Sequence, residues 1–151
     1  LRDEYLGTKY GQACVMRRIF ELCPIVQVGV RSLSWEEKQF LNQNKMTPFY
    51  MSDLVATTTS VEKIADSLSQ DVYITIDVDV LDPSIMPAVG TPEPDGCSLQ
   101  QVLAIIKSVA LHKHIVGFDL MEFCPREGPA ACAFLMAKLA YKFIGYAVPQ
   151  G

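Results

Sequence analysis

Short β-type runs and helix-type segments take turns along the whole chain, and that alternation restricts the fold more than any other feature. Gly11 to Leu22 places Val15, Ile19, Phe20 and Leu22 around Arg17 and Arg18, an amphipathic helix pattern that Pro24 ends. Ile25 to Val30 is a β-branched, apolar run of the kind that forms a buried strand. Ser34 with Glu37 three positions on matches a capping box and predicts a helix to about Asn44. Met46 to Val55 carries a thinner strand pattern, and Ser60 is placed to cap a helix through about Leu68. Val72 to Ile76 is the central strand. Ser98 with Gln101 caps the next helix, whose apolar stripe is Val102, Ile105, Ile106 and Val109. His114 to Leu120 predicts another buried strand, and Pro129 to about Tyr146 a long final helix. Strands that alternate with helices pair in parallel, because each parallel pairing needs a crossover connection. The expected class is therefore α/β, a three-layer α/β/α arrangement with a mainly parallel sheet. About four strands make a thin sheet for it. Together with a start at Leu1-Arg2-Asp3-Glu4 instead of Met, this points to sequence missing at the N-terminus.

The stretch from Asp71 to Gly96 carries the chemistry. The apolar strand Val72–Ile76 runs into three carboxylates, Asp77, Asp79 and Asp82. If the strand continues, Asp77 and Asp79 share a face with Cβ atoms roughly 6.5–7 Å apart. Two acids so placed repel each other, and burial raises their pKa values. A divalent cation relieves both costs, since carboxylate oxygen suits hard and borderline metals. The loop that follows holds four prolines and two glycines and lies past the carboxyl end of a strand, where open α/β sheets place their ligands.

Other polar residues have simpler explanations. Asp82 precedes Pro83 and reads as a turn former. His112 and His114 flank a helix-to-strand turn and read as helix-end or solvated histidines. Asp119 and Glu122 close the neighbouring strand at the same sheet end as Asp77, although Glu122 alone is equally an exposed loop acid. A net charge of −4 argues against a partner recognised through its phosphate backbone, and no apolar run approaches the roughly 18–20 residues of a bilayer span. Five cysteines, odd in number and without a CxxC pair, fit a reducing compartment, the cytoplasm.

The segment Thr75-Ile76-Asp77-Val78-Asp79-Val80-Leu81-Asp82-Pro83, with Pro87 and Gly90-Thr91-Pro92-Glu93-Pro94, resembles the signature of the ureohydrolase (arginase/agmatinase) family. Gly117-Phe118-Asp119-Leu120-Met121-Glu122-Phe123-Cys124-Pro125 is similar to the family's GxDxxExxP segment, and Tyr10–Arg18 looks most like the agmatinase branch. The resemblance implies that residues 1–151 are the C-terminal part of a single ureohydrolase domain, in a larger fold of about eight strands with two Mn²⁺ ions. It implies hydrolysis of a guanidino compound, agmatine to putrescine and urea, by a homotrimer or homohexamer. Carried onto this sequence, Asp77 and Asp79 match metal ligands, Glu122 matches the carboxylate that pairs with the guanidinium, and Thr91 lies in the loop lining the substrate pocket. Gln12 stands where a histidine tied to proton transfer and substrate contact is usual, and Gln cannot shuttle protons. The family's remaining metal ligands, in GGDH and DAHxD segments, are absent here, so these residues alone are expected to be inactive. A non-catalytic short paralogue acting as a binding or oligomer-forming subunit is the alternative. A DxD glycosyltransferase leaves the DP and GTPEP elements without a role. An EF-hand fails because its sixth and twelfth positions, counted from Asp77, would be Asp82 and Ala88.

Overall fold

The computed structural model describes residues 1–56 and 61–148. Two compact units emerge, one over Leu1–Tyr50 and a second from Met51 onward.

In the first unit, a 3₁₀ turn at Gln12–Cys14 leads into α1 (Val15–Phe20), shorter than the predicted Gly11–Leu22 helix. The predicted strand over Ile25–Val30 narrows to β1 (Val28–Val30), because Gly29 adopts a left-handed φ of 81° that breaks regular extension. The capping box forms as predicted: the Glu37 amide donates to the Ser34 hydroxyl, the Ser34 amide donates to the Glu37 carboxylate, and α2 (Trp35–Gln43) follows. Phe40 and Leu41 on α2 are buried, and Phe40 meets Phe20 of α1 edge to face at 5.2 Å. Only β2 (Phe49–Tyr50) of the Met46–Val55 strand candidate is extended, pairing parallel with β1. Its remainder is α3 (Met51–Val55), with Met51 and Leu54 buried. Short apolar runs suit a one-turn helix as well as a strand, and burial decided this one.

In the second unit, α3 is followed by α4 (Val61–Asp66); the predicted cap at Ser60 lies outside the described residues. Strand β3 (Asp71–Asp77) and strand β4 (His114–Met121) pair in parallel, with Asp71 opposite His114, Thr75 opposite Asp119 and Asp77 opposite Met121. Between them, α5 (Leu99–His112) starts at the predicted Ser98/Gln101 capping box. Val102, Ile106 and Val109 of its stripe are buried and Ile105 is half-buried. The last helix, α6 (Ala130–Ala147), buries Cys132, Leu139 and Phe143, and Phe143 stacks on Phe118 of β4 with centroids 4.0 Å apart. Helix α6 has 18 residues and, by length and composition alone, could cross a membrane. The sequence pattern hid this because Lys138 and Lys142 interrupt the apolar run.

Candidate functional site

The carboxyl end of β3 carries the predicted acids, in a geometry that differs from a continued strand. Asp77 is the last strand residue, and Val78–Val80 turn into a 3₁₀ helix. Asp77 caps that turn: its carboxylate accepts the Asp79 amide at 3.2 Å. Strand alternation therefore does not place the two acids; a capped turn folds Asp79 back beside Asp77. Val78, fully buried, anchors the turn beneath them. The predicted repulsion follows. Withdrawal from water first, then the charge of Asp79, with a further contribution from Glu122, pushes the Asp77 carboxyl up to about 7. Asp77 nevertheless keeps open surface, so a proton or a cation can reach it.

The loop after the turn is tied down at three places. At its base Leu81 bridges Cys97, the Asp82 amide donates to the Cys97 carbonyl, and the Cys97 amide donates to the Val80 carbonyl. Asp82 braces the same base, accepting the Ser84 amide at 2.9 Å and the Gly96 amide at 3.2 Å. The hydrogen bonds from Ser84 hold its carboxyl below the ordinary range. This agrees with Asp82 as a turn former. Gly96 is required by space: a Cβ there would lie 2.4 Å from the Asp82 nitrogen. Further along, the Thr91 hydroxyl donates to Asp79 Oδ2 at 3.1 Å. Finally, Val89 bridges Phe123 in antiparallel fashion and the Cys124 amide donates to the Ala88 carbonyl at 2.8 Å, tying the loop to the segment after β4.

Glu122 opens that segment with a left-handed φ of 65°. Met121, the residue before it, pairs with Asp77 across the sheet, so the two carboxylates belong to the same sheet end, and the charge of Glu122 adds to the rise at Asp77. Asp119, by contrast, is occupied within the sheet, accepting the Thr75 hydroxyl at 2.6 Å and the Tyr73 hydroxyl at 2.9 Å. His112 meets the Ser108 carbonyl, and His114 meets Asp71 at 2.8 Å, at the amino ends of β4 and β3. Both histidines are thus remote along the strands from Asp77, as their simpler reading requires. Gln12 is exposed in the first unit's 3₁₀ turn.

The arrangement therefore collects Asp77, Asp79, Thr91 and Glu122 at one end of the β3–β4 pair. Thr91, expected in a pocket-lining loop from the family resemblance, also bonds directly to Asp79. No sequence pattern encodes which loop atom meets a given carboxylate. Asp77 and Asp79 offer hard oxygen donors and an electrostatic penalty that a divalent cation removes, which fits a share of a metal site. They do not fill one: among the described residues no group of three or more His, Cys, Asp or Glu side chains is arranged to hold a metal ion.

Comparison with known proteins bears on this geometry. The profile described as the arginase family matches residues 1–145. The N(1)-aminopropylagmatine ureohydrolase of Synechocystis sp. is 36% identical over 148 residues, covering 97% of this chain and 48% of that protein. The agmatinase of Pyrococcus horikoshii is 35% identical, covering 96% of this chain and 51% of its own length. Among solved structures, the agmatine ureohydrolase of Thermoplasma volcanium superposes with a TM-score of 0.85 at 35% identity, over 97% of this chain and 51% of that one. The chain thus spans about half the length of the relatives it matches.

Proposed function

The chain belongs to the arginase family, and from that premise we propose that it is the C-terminal part of a single ureohydrolase domain acting on a guanidino compound, agmatine being the substrate best supported. The observation that carries this reading is the gathering of Asp77, Asp79 and Glu122 at the carboxyl end of β3–β4, under a loop that reaches Asp79 through Thr91. Names of the relatives, agmatinase and N(1)-aminopropylagmatine ureohydrolase, support the substrate class.

In this reading the Glu122 carboxylate pairs with the guanidinium, a charge-assisted contact that suits the planar fork of its N–H groups. Asp77 and Asp79 would hold divalent metal, Mn²⁺ by family resemblance, which when bound acidifies water to a nucleophile at neutral pH. Thr91, by donating to Asp79 Oδ2, orients that carboxylate. Water oxygen adds to the guanidinium carbon, the bond from that carbon to the alkyl nitrogen breaks, and the departing nitrogen takes up a proton. Putrescine and urea balance agmatine and water. Gln12 is assigned to substrate contact without proton transfer, since its amide has no titrating proton in the working range. A cytoplasmic setting and a homo-oligomer are part of the same proposal.

For residues 1–151 taken alone a second reading is favoured by one observation. The described residues assemble no group of three or more potential metal ligands, which suits a non-catalytic binding or oligomer-forming subunit better than a complete catalyst. One experiment separates the two. Urea release from agmatine with Mn²⁺ is measured for the native product from its source cells and for the 151-residue chain, with Glu122→Gln alongside. The ureohydrolase reading expects the native product to be active, the Gln variant to lose most activity, and the chain alone to release no urea. A native product of this length with no urea release would leave the subunit reading standing.

A further inference from the structure

The backbone of Glu122 is held in a conformation its residue type disfavours. Its φ of 65° lies in the left-handed region, where a Cβ crowds the peptide, and such a residue persists only where its surroundings over-determine it. The surroundings here are few. Phe123 pairs with Val89, the Cys124 amide bonds to the Ala88 carbonyl at 2.8 Å, and the Glu127 amide closes a turn onto the Cys124 carbonyl at 3.0 Å. That turn delivers Gly128 against Ala88. A Cβ at Gly128 would stand 2.8 Å from the Ala88 Cβ, 3.0 Å from its nitrogen and 3.1 Å from its Cα. Gly128 does not adopt a left-handed φ, so its backbone conformation is open to any residue. Glycine is needed there for space. Nor can Ala88 retreat easily, since it is fully buried and Val89 beside it nearly so.

We propose that Gly128 is a positioning residue for Glu122: its missing side chain lets Ala88 seat against the turn after β4, and that seat holds the Val89–Phe123 bridge which locks Glu122 in its left-handed backbone. The loop that reaches Asp79 through Thr91 is thereby the same loop that places Glu122. Carboxylates that must act on one small cation are set relative to each other by one buried contact, not by two independent loops. The functional side of this inference rests on the reading of Glu122 as the guanidinium-pairing carboxylate; the structural side does not.

The test is Gly128→Ala in the full chain, read by amide hydrogen exchange at Cys124 and by the backbone coupling constant and Cα shift of Glu122. The expected result is exchange at Cys124 faster by about tenfold or more, a changed Glu122 signature, and unaltered protection along β3 and β4. Adding Ala88→Gly removes the atom struck at 2.8 Å but leaves the Ala88 nitrogen at 3.0 Å and its Cα at 3.1 Å, so it is expected to restore both readouts in part. An unchanged Glu122 signature, or a uniform loss of protection through β3 and β4, overturns the positioning role. Should Gly128→Ala fail to fold, Ala88→Gly alone withdraws the same contact and is read in the same way. In the native product, Gly128→Ala is expected to raise KM for agmatine at least tenfold with a smaller change in kcat; an unmoved KM also overturns it. If Glu122→Gln leaves agmatine hydrolysis untouched, the functional reading falls, while the Glu122 signature still decides the role of Gly128.

Discussion

Replacing Asp77 by Asn tests whether the acid pair is the stored electrostatic cost that a cation site implies. Withdrawal from water and the charge of Asp79 raise the folded-state pKa of Asp77 from 3.8 to about 7. Between those values the folded chain holds a proton that the unfolded chain has released, so stability falls as pH rises through the window. The cost is absent below about pH 4 and fully present above about pH 7. Undiminished, such a rise corresponds to about 4 kcal/mol, and solvent at the open surface of Asp77 reduces this to about 1–2 kcal/mol. Asn removes the charge, keeps the size and can still accept the Asp79 amide. In EDTA, Asp77→Asn is therefore expected to raise the Tm at pH 8 by roughly 2–8 °C and to leave it unchanged near pH 4. Adding Mn²⁺ at pH 8 to the native product is expected to stabilise it and not its Asp77→Asn variant, through preferential binding to the folded state. Thermal unfolding followed by circular dichroism at the two pH values reads all of this. An Asn variant that is destabilised equally at both pH values would refute the reasoning, because Asp77 would then be a structural cap and not a strained charge.

Three further outcomes test the loop and the core. In the native product, Thr91→Val removes the hydroxyl that meets Asp79 Oδ2 and is expected to weaken Mn²⁺ binding by calorimetry about 10- to 100-fold, the usual effect of losing a partner behind a ligand. Gly96→Ala drives a Cβ to 2.4 Å from the Asp82 nitrogen, so the base of the loop should open and limited proteolysis within residues 83–95 should accelerate while β3–β4 protection persists. Phe143→Ala empties a fully buried site stacked on Phe118 and is expected to cost about 3–5 kcal/mol in urea unfolding, because the surrounding helix and strand can close the cavity only in part.

What could be read from the sequence divides along a physical line. Local rules transferred well: Ser34/Glu37 and Ser98/Gln101 are capping boxes in the structure because each needs only four consecutive residues to satisfy its own hydrogen bonds. The run Val72–Ile76 is a strand because burial on one face matches its period. The limits appear where tertiary contacts decide. Met51–Val55, the end of the Met46–Val55 strand candidate, is a helical turn that buries Met51 and Leu54. The expected side-by-side projection of Asp77 and Asp79 from one strand face fails because the chain turns at Val78, yet the acids still meet, through a capped turn. The right conclusion about their proximity thus came from a geometry the chain does not use.

The more consequential blind spot lies in residues that carry no chemistry of their own. Gly96, Ala88, Gly128 and Val89 have no titratable group and no motif value in isolation, so nothing in composition or periodicity selects them. Yet each is required by a distance: Gly96 to the Asp82 nitrogen, Gly128 to the Ala88 side chain, Val89 to its bridge with Phe123. The acids of a hydrolytic site are legible because their side chains announce charge in an apolar context. The contacts that set the spacing of those acids are steric and long-range in sequence, with residues 82 and 96, 88 and 124, or 89 and 123 brought together only by folding. For this reason the separation between Glu122 and the Asp77/Asp79 pair is a property of a loop with no ionisable partner at its pivot. Substitutions at that pivot should alter how the site binds before they alter whether the chain folds.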